Sequence, residues 1–319
     1  MDFISQAALG AACSQALLGK YNKHIPWVAG ALAGMAADLD VLLKFTKEHM
    51  SYELWHRSVT HSFIFIPVGA LIVTLFLMCF PYYRTHWKLV FGACLIGYAT
   101  HGILDACTSF GTLLFWPWSM QRVSWDIISI IDPLFTVPLI LGTIWSVIFQ
   151  ERKGAFIGLF VGGLVLILNT LQHHRALTSV TQYAQANQLS LKRIRAIPAL
   201  ASSTKWRIIA EMGECFLMAD AIIPLVGKSK LIPIRQVPVF YGKATESFNL
   251  TEGQQRDLAI YTWFTDDYLI IANTEPLVLI DGRYTWGVDP IIALWGIQLM
   301  PEQPQMIKVR RVILKEQCN

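Results

Sequence analysis

A mainly α-helical, polytopic membrane bundle followed by a small soluble α+β domain is the fold class this sequence predicts, on three observations. Of its 319 residues, 54% are hydrophobic and the mean hydropathy is +0.44. Charged residues make up 15%, where an ordinary soluble domain carries about a quarter. The charges also crowd toward the end: residues 1–191 hold 11 of the 26 Lys/Arg and 9 of the 22 Asp/Glu. Such a composition excludes a disordered chain and argues against a soluble enzyme of the usual kind. The net charge of +4 is too small to suggest a nucleic-acid partner.

Six segments carry the membrane prediction. Residues 3–19 are uncharged but contain Gln6, Ser14 and Gln15. Residues 25–37 are apolar and run on through Asp38 and Asp40 to residue 43. Residues 62–81, 89–104, 127–150 and 154–172 follow, broken only by His101 and Asp132. A spanning helix needs about 20 mostly apolar residues, so the last four qualify and the first two are marginal. Together they predict about five to six apolar helices over residues 1–174 in a multi-pass protein. Met1–Gln6 opens with an acid and has no basic stretch, so a cleavable signal peptide is not expected. Gly30 to Gly34 and Gly158 to Gly162 have the spacing that lets membrane helices approach closely.

Residues 175–197 are polar and predict a surface helix or linker ending near Pro198. Residues 198–319 predict a soluble α+β domain. Its expected strands are 258–265, 268–272, 291–299 and 306–314, with a hairpin of 277–280 and 283–286 about Asp281-Gly282. The six cysteines form no CxxC pair, and no disulfide framework is expected. All eight histidines lie at or before His174.

Polar residues fall at segment ends. Asp38 and Asp40 close the second segment, and His56, Arg57 and His61 precede the third. His101 and Asp105 close the fourth, and Asp126 and Asp132 open the fifth. If these segments are successive spanning helices, the loops 44–60 and 106–125 share one membrane face and these residues converge there. Acids and histidines at bilayer depth are costly and mark functional cavities. His101 and Asp105 are four apart and share a helical face. Imidazole and carboxylate both ligate zinc, manganese or iron. The metal-ligand candidates are Asp38, Asp40, His56, His61, His101 and Asp105. Asp38 and Asp40, two apart, point to opposite sides of a regular helix, so either the helix ends there or one of them stands behind the ligands.

Plainer readings stand beside these. Arg57 is either a snorkelling anchor or an anion-binding group. Asp126 is either an interfacial acid or a catalytic one. Asp132, before Pro133, reads as a helix cap, and Trp116-Pro117-Trp118 as an aromatic belt at the headgroups. No P-loop, GxSxG or CxxC zinc motif is present.

Asp38-Leu-Asp40, His56-Arg57-Ser58-Val59-Thr60-His61-Ser62 and His101-x-x-x-Asp105 together resemble the YdjM-like family over roughly residues 1–150. Its members are bacterial inner-membrane proteins described as metal-dependent hydrolases. The family is distantly similar to zinc-dependent phospholipase C and P1-type nucleases. That similarity implies that Asp38 or Asp40, with His61, His101 and Asp105, holds one metal, and that Asp105 can bridge to a second. Gln6 stands where relatives can carry a histidine, and glutamine is a poor zinc ligand.

The expectation is a membrane-embedded enzyme, a metal-dependent hydrolase with one or two divalent ions, zinc first. Its substrate is an ester or phosphoester, a small molecule or a lipid, and its partner is the bilayer. Asp40 or Asp126 serves as general base, and Arg57 neutralises a phosphate oxygen. Two competing readings are a divalent-ion or proton-coupled transporter and a membrane scaffold with a partner-binding C-terminal domain. Lys and Arg counts on the two faces are too even to orient the chain.

Overall fold

The computed structural model describes residues 1–45, 49–240 and 249–318. Residues 46–48, in the expected 44–60 loop, lie outside the described residues. The chain divides into two compact units. The first comprises Met1–Lys44, Trp55–Leu171 and Ala199–Ser203; the second comprises Phe45–Leu54, Gln172–Pro198 and Thr204–Asn319.

The first unit is helical. α1 (Phe3–Leu18) starts where the Asp2 carboxylate accepts from Ile4 N and Ser5 N, the usual satisfaction of orphan donors at a helix start. α2 (Ile25–Ala36) has Pro26 in its first turn, where a missing N–H costs nothing. At Ala37 the α-helix gives way to a 3-10 helix, Ala37–Phe45. Short α3 (Ser51–Trp55) belongs to the second unit but for Trp55, and the 3-10 turns Val59–His61 and Phe63–Phe65 then lead into α4 (Ile66–Leu77). Short α5 (Pro81–Arg84) precedes α6 (Trp87–Ala106), and α7 (Pro133–Ile148) and α8 (Lys153–Ala186) follow. Asp132 caps α7 by accepting from Leu134 N and Phe135 N, as its place before Pro133 suggests.

Small residues set the packing of α1, α2 and α6. A Cβ at Gly34 would meet the Gln6 carbonyl oxygen at 2.6 Å, so only glycine allows α1 and α2 this close. The result is backbone against backbone, the packing that replaces a hydrophobic drive between membrane helices. One core joins Ala29, Ala33, Ala70, Val90, Cys94 and Tyr98 between α2, α4 and α6. Another joins Ala8, Ala12, Ile128, Phe135 and Leu139 around α1 and α7. The outer faces of α4, α7 and α8 are apolar rather than polar: Ile72, Phe76, Leu141, Ile148, Phe160 and Ile167 are all exposed, the reverse of a water-facing helix.

Among the described residues, three helices are long and apolar enough to cross a membrane: Ile25–Leu42, Trp87–Ala106 and Lys153–Ala186. A bent pair, Ser51–His61 with Phe63–Leu77, makes a fourth if it counts as one span. That count is by length and composition alone. α1 and α7 are shorter apolar helices, and residues 62–81 do not form one helix because the 3-10 turn Phe63–Phe65 precedes Ile66 and α4 ends at Leu77. α8 runs past residue 172 as one 34-residue helix, about 51 Å at 1.5 Å per residue. The polar stretch 175–197 is therefore mostly its continuation rather than a separate linker, and Ile194–Pro198 is a strand.

The second unit carries two antiparallel sheets. β1 (Ile194–Pro198), β2 (Lys205–Met212), β3 (Cys215–Ile222) and β4 (Lys230–Pro238) form the first, in chain order. β5 (Leu269–Thr274), β6 (Leu277–Asp281), β7 (Thr285–Trp286), β8 (Ile292–Gln298) and β9 (Ile307–Ile313) form the second, with β8 between β6 and β7 and also paired to β9. Alternation along β3 explains the core. Phe216 and Met218 pack with Ile270 and Ile280 of the second sheet. Leu217, Ala219 and Ala221 pack with Ala176 and Val180 of the α8 tail. Period-two side chains thus bury both faces of one strand.

Three expectations fail here. Residues 258–265 are helical, within α9 (Glu252–Phe264), because Thr251 and Gln254 form a capping box and burial recurs at Gln254, Leu258, Tyr261 and Phe264. Asp281-Gly282 is no hairpin turn. The Asp281 carboxylate accepts from Arg283 N and from the Arg283 guanidinium, forming a 3-10 turn, and β6 pairs with β8 instead of β7. Cys215 and Cys318 form a disulfide across 103 residues, a pairing that sequence spacing could not reveal.

Candidate metal centre

Three elements of the first unit build the site: the 3-10 helix after α2, the turn at Val59–His61, and the last turns of α6. In a 3-10 helix, residues two apart project about 120° from each other. Asp38 and Asp40 therefore address two sides of one histidine. Asp38 Oδ1 lies 3.3 Å from His61 Nε2, and Asp40 Oδ2 lies 3.3 Å from His61 Nδ1. The break in α2 at Ala37 is what lets both acids take part.

α6 supplies His101 and Asp105 one turn apart. A Cβ at Gly102 would collide with the His61 carbonyl oxygen, so glycine admits the His61 turn against α6. Asp105 Oδ2 is 3.2 Å from His61 Nε2 and 3.6 Å from His101 Nε2, and Asp38 Oδ1 is 3.5 Å from His101 Nε2. One ligand atom each from Asp38, His61, His101 and Asp105 lies within 4.8 Å of the others, all on buried residues. A second group, Asp38, Asp40 and His56, meets the same distance. Asp38, not Asp105, is the carboxylate common to both.

The remaining atoms of these side chains are held by neighbours. His101 Nδ1 bonds the Gly34 carbonyl, which places the ring proton there and leaves Nε2 as the lone-pair nitrogen. His61 Nδ1 faces Thr60 Oγ1 at 3.0 Å as well as Asp40. Asp105 Oδ1 accepts from Gln6 Nε2 at 2.9 Å and from the Met1 amino group. Gln6 is thus a buried support of Asp105. His56 Nδ1 meets Asp40 Oδ1 at 2.6 Å, and Asp40 Oδ2 also accepts from Thr60 Oγ1 and Arg57 N.

Arg57 is buried and turned into the cluster. Its Nε is 3.1 Å from Asp105 Oδ2, its Nη1 donates to Thr108 Oγ1 at 2.8 Å, and its guanidinium stacks over Phe110. This burial is unlike a snorkelling anchor. Its φ of 61° is the left-handed conformation, uncommon outside glycine and held by Leu113 N donating to the Arg57 carbonyl. Asp126, also at positive φ, is buried in the loop after α6 and lies outside both ligand groups. Asp132 serves as the α7 cap.

The donor set fits a divalent ion. The buried carboxylates of Asp38 and Asp105, with half-buried Asp40 beside them, need positive charge nearby. His101 Nε2 is buried without a hydrogen-bond partner, and Asp105 Oδ2 faces it at 3.6 Å while ion-paired with Arg57. Two imidazole nitrogens with two carboxylate oxygens are a set that zinc, manganese and iron accept. Sequence reasoning marked Gly34 for helix packing alone and did not single out Thr108. Thr108, three residues after Asp105 and just past the end of α6, was a findable signal; the Gly34 carbonyl was not.

The model of the YdjM inner membrane protein family matches residues 1–176. The chain belongs to the YdjM inner membrane protein family. The match ends inside α8 and includes every residue of both candidate ligand groups. No curated protein and no solved structure matches the chain.

Proposed function

We propose that this YdjM-family chain is a multi-pass, membrane-embedded metal-dependent hydrolase of an ester or phosphoester at the membrane interface. One observation carries the reading: four buried ligand atoms converge while the opposite atoms of His61, His101 and Asp105 are already engaged. Such support from behind orients ligands toward a metal. When bound, a divalent ion lowers the pKa of its water toward about 7 and polarises the scissile group.

The protein's own groups divide the remaining work. Asp40, joined to His56 and Thr60, is placed beside the ligands rather than among the four, and it is the general base in this reading. It takes a proton at a carboxylate oxygen and relays it through His56 Nδ1. Asp126 is the weaker candidate because it stands outside both groups. Arg57 holds an anionic oxygen of the substrate through its guanidinium fork. Burial of the cluster excludes bulk water, which strengthens each of these interactions.

The test is turnover. Purified protein loaded with zinc or manganese is offered nitrophenyl phosphodiesters and carboxylic esters. Asp40→Asn is expected to lower kcat by roughly a hundredfold or more, with metal retained. Metal-loaded protein that turns over neither class, yet moves divalent ions across vesicles, would replace the hydrolase reading with transport.

A further inference from the structure

A cavity of about 510 Å³ lies in the first unit between α2, α4 and α6, a volume within the usual range for small-molecule sites. Leu32, Ala36, Phe65 and Val73 contribute its apolar wall, and its hydrogen-bonding side chains are Thr60 and Tyr98. Both are already engaged. The Tyr98 hydroxyl donates to the Thr60 carbonyl at 2.9 Å, and Thr60 Oγ1 donates to Asp40 Oδ2 at 3.0 Å. The cavity thus presents hydrocarbon almost throughout, and an unsatisfied polar ligand would lose hydrogen bonds on entering it.

Two further features fix what fits. Thr60 is both a wall of the cavity and a partner of Asp40 and His61, so the apolar space ends one side chain from the metal ligands. The rim at Leu39, Ile72 and Phe76 is more than half exposed, at 62%, 56% and 60%. These rim residues continue the apolar outer face of α4, which faces acyl chains in a bilayer. A ligand entering here slides in sideways from the lipid, tail in the cavity and head at the cluster.

Resting on the hydrolase reading, we infer that the substrate is a lipid phosphoester whose hydrocarbon tail occupies this cavity while its phosphoryl group reaches the Asp38–His61–His101–Asp105 cluster. The tail gives affinity through burial of apolar area, and its length is read by the depth of the cavity.

The experiment compares nitrophenyl phosphodiesters bearing a butyl or a palmityl tail, on the full chain in detergent with metal loaded. Wild type is expected to favour palmityl by roughly tenfold or more in kcat/KM. Ala36→Phe and Ile72→Trp, which narrow the cavity and its rim, bring that ratio toward unity, with metal content reporting that each variant folds. A palmityl preference unchanged in both variants overturns the inference. If neither ester is turned over, the hydrolase reading has failed, and a diazirine-bearing palmityl phosphodiester tests the cavity alone. Crosslinks confined to residues 32–39 and 65–76, and lost in Ala36→Phe, uphold the tail site. Labelling spread evenly over α7 and α8 and unchanged by Ala36→Phe overturns it.

Discussion

His101 turns its Nδ1 to the backbone carbonyl of Gly34. That bond joins α6 to α2, and it fixes which nitrogen faces Asp38 and Asp105. Gly34→Ala is expected to lower metal affinity by about ten- to a hundredfold, the usual effect of losing a partner behind a ligand. The added Cβ pushes against the Gln6 carbonyl and moves the acceptor. Metal titration of the variant checks this, and an unchanged affinity would show that the ring is held by other contacts.

Gln6 makes a second, independent support, through Nε2 to Asp105 Oδ1. Gln6→Ala leaves that oxygen without its side-chain donor inside a buried site. The Met1 amino group still donates to it, so a loss of about 1 kcal/mol in stability is expected from one buried hydrogen bond to a charged group, together with weaker metal binding. Thermal unfolding with and without metal separates the two: the stabilisation by metal should shrink in the variant.

The disulfide of the second unit yields a covalent prediction. Membranes prepared with an alkylating agent present should give a chain in which Cys215 and Cys318 are protected until reductant is added. Replacing both with serine should cost about 2–5 kcal/mol. Such bonds persist in oxidising compartments and not in the cytosol, so their oxidation state in the cell reports the membrane side of this unit. Free thiols at both positions in freshly alkylated membranes would put it on the cytosolic side.

Tyr261 yields a pH prediction. Its side chain is buried on α9, and burial, aided by the Asp281 carboxylate, raises its hydroxyl well above the ordinary tyrosine value. Above about pH 10 the unfolded chain gives up this proton while the folded unit keeps it. Unfolded binds fewer protons than folded, so stability falls as pH rises through that range. Below the unfolded value the contribution is fully present. Tyr261→Phe should flatten the fall between about pH 10 and 11, measured by denaturant midpoint. An equally steep fall in the variant would assign it to other groups.

Much of the site was legible because polar residues stand out in an apolar chain: Asp38, His61, His101 and Asp105 are costly where they lie, and that cost singled them out. What was illegible depended on backbone geometry. The spacing of Asp38 and Asp40 looked wrong for shared work until α2 yielded to a 3-10 helix at Ala37. The Gly34 carbonyl has no side chain to notice. In the second unit, residues 258–265 are rich in β-formers, yet the Thr251–Gln254 capping box starts a helix through them. Cys318, past the end of β9, is brought to Cys215 by a backbone bond to Gln236 of β4.

The most direct measurement is elemental analysis of the full chain purified without chelator, wild type beside His101→Ala and His61→Ala. Wild type is expected to carry at least one equivalent of zinc, manganese or iron per chain, lost in both variants while their circular dichroism stays helical. Wild type devoid of divalent metal, or variants that keep the full complement, would contradict it.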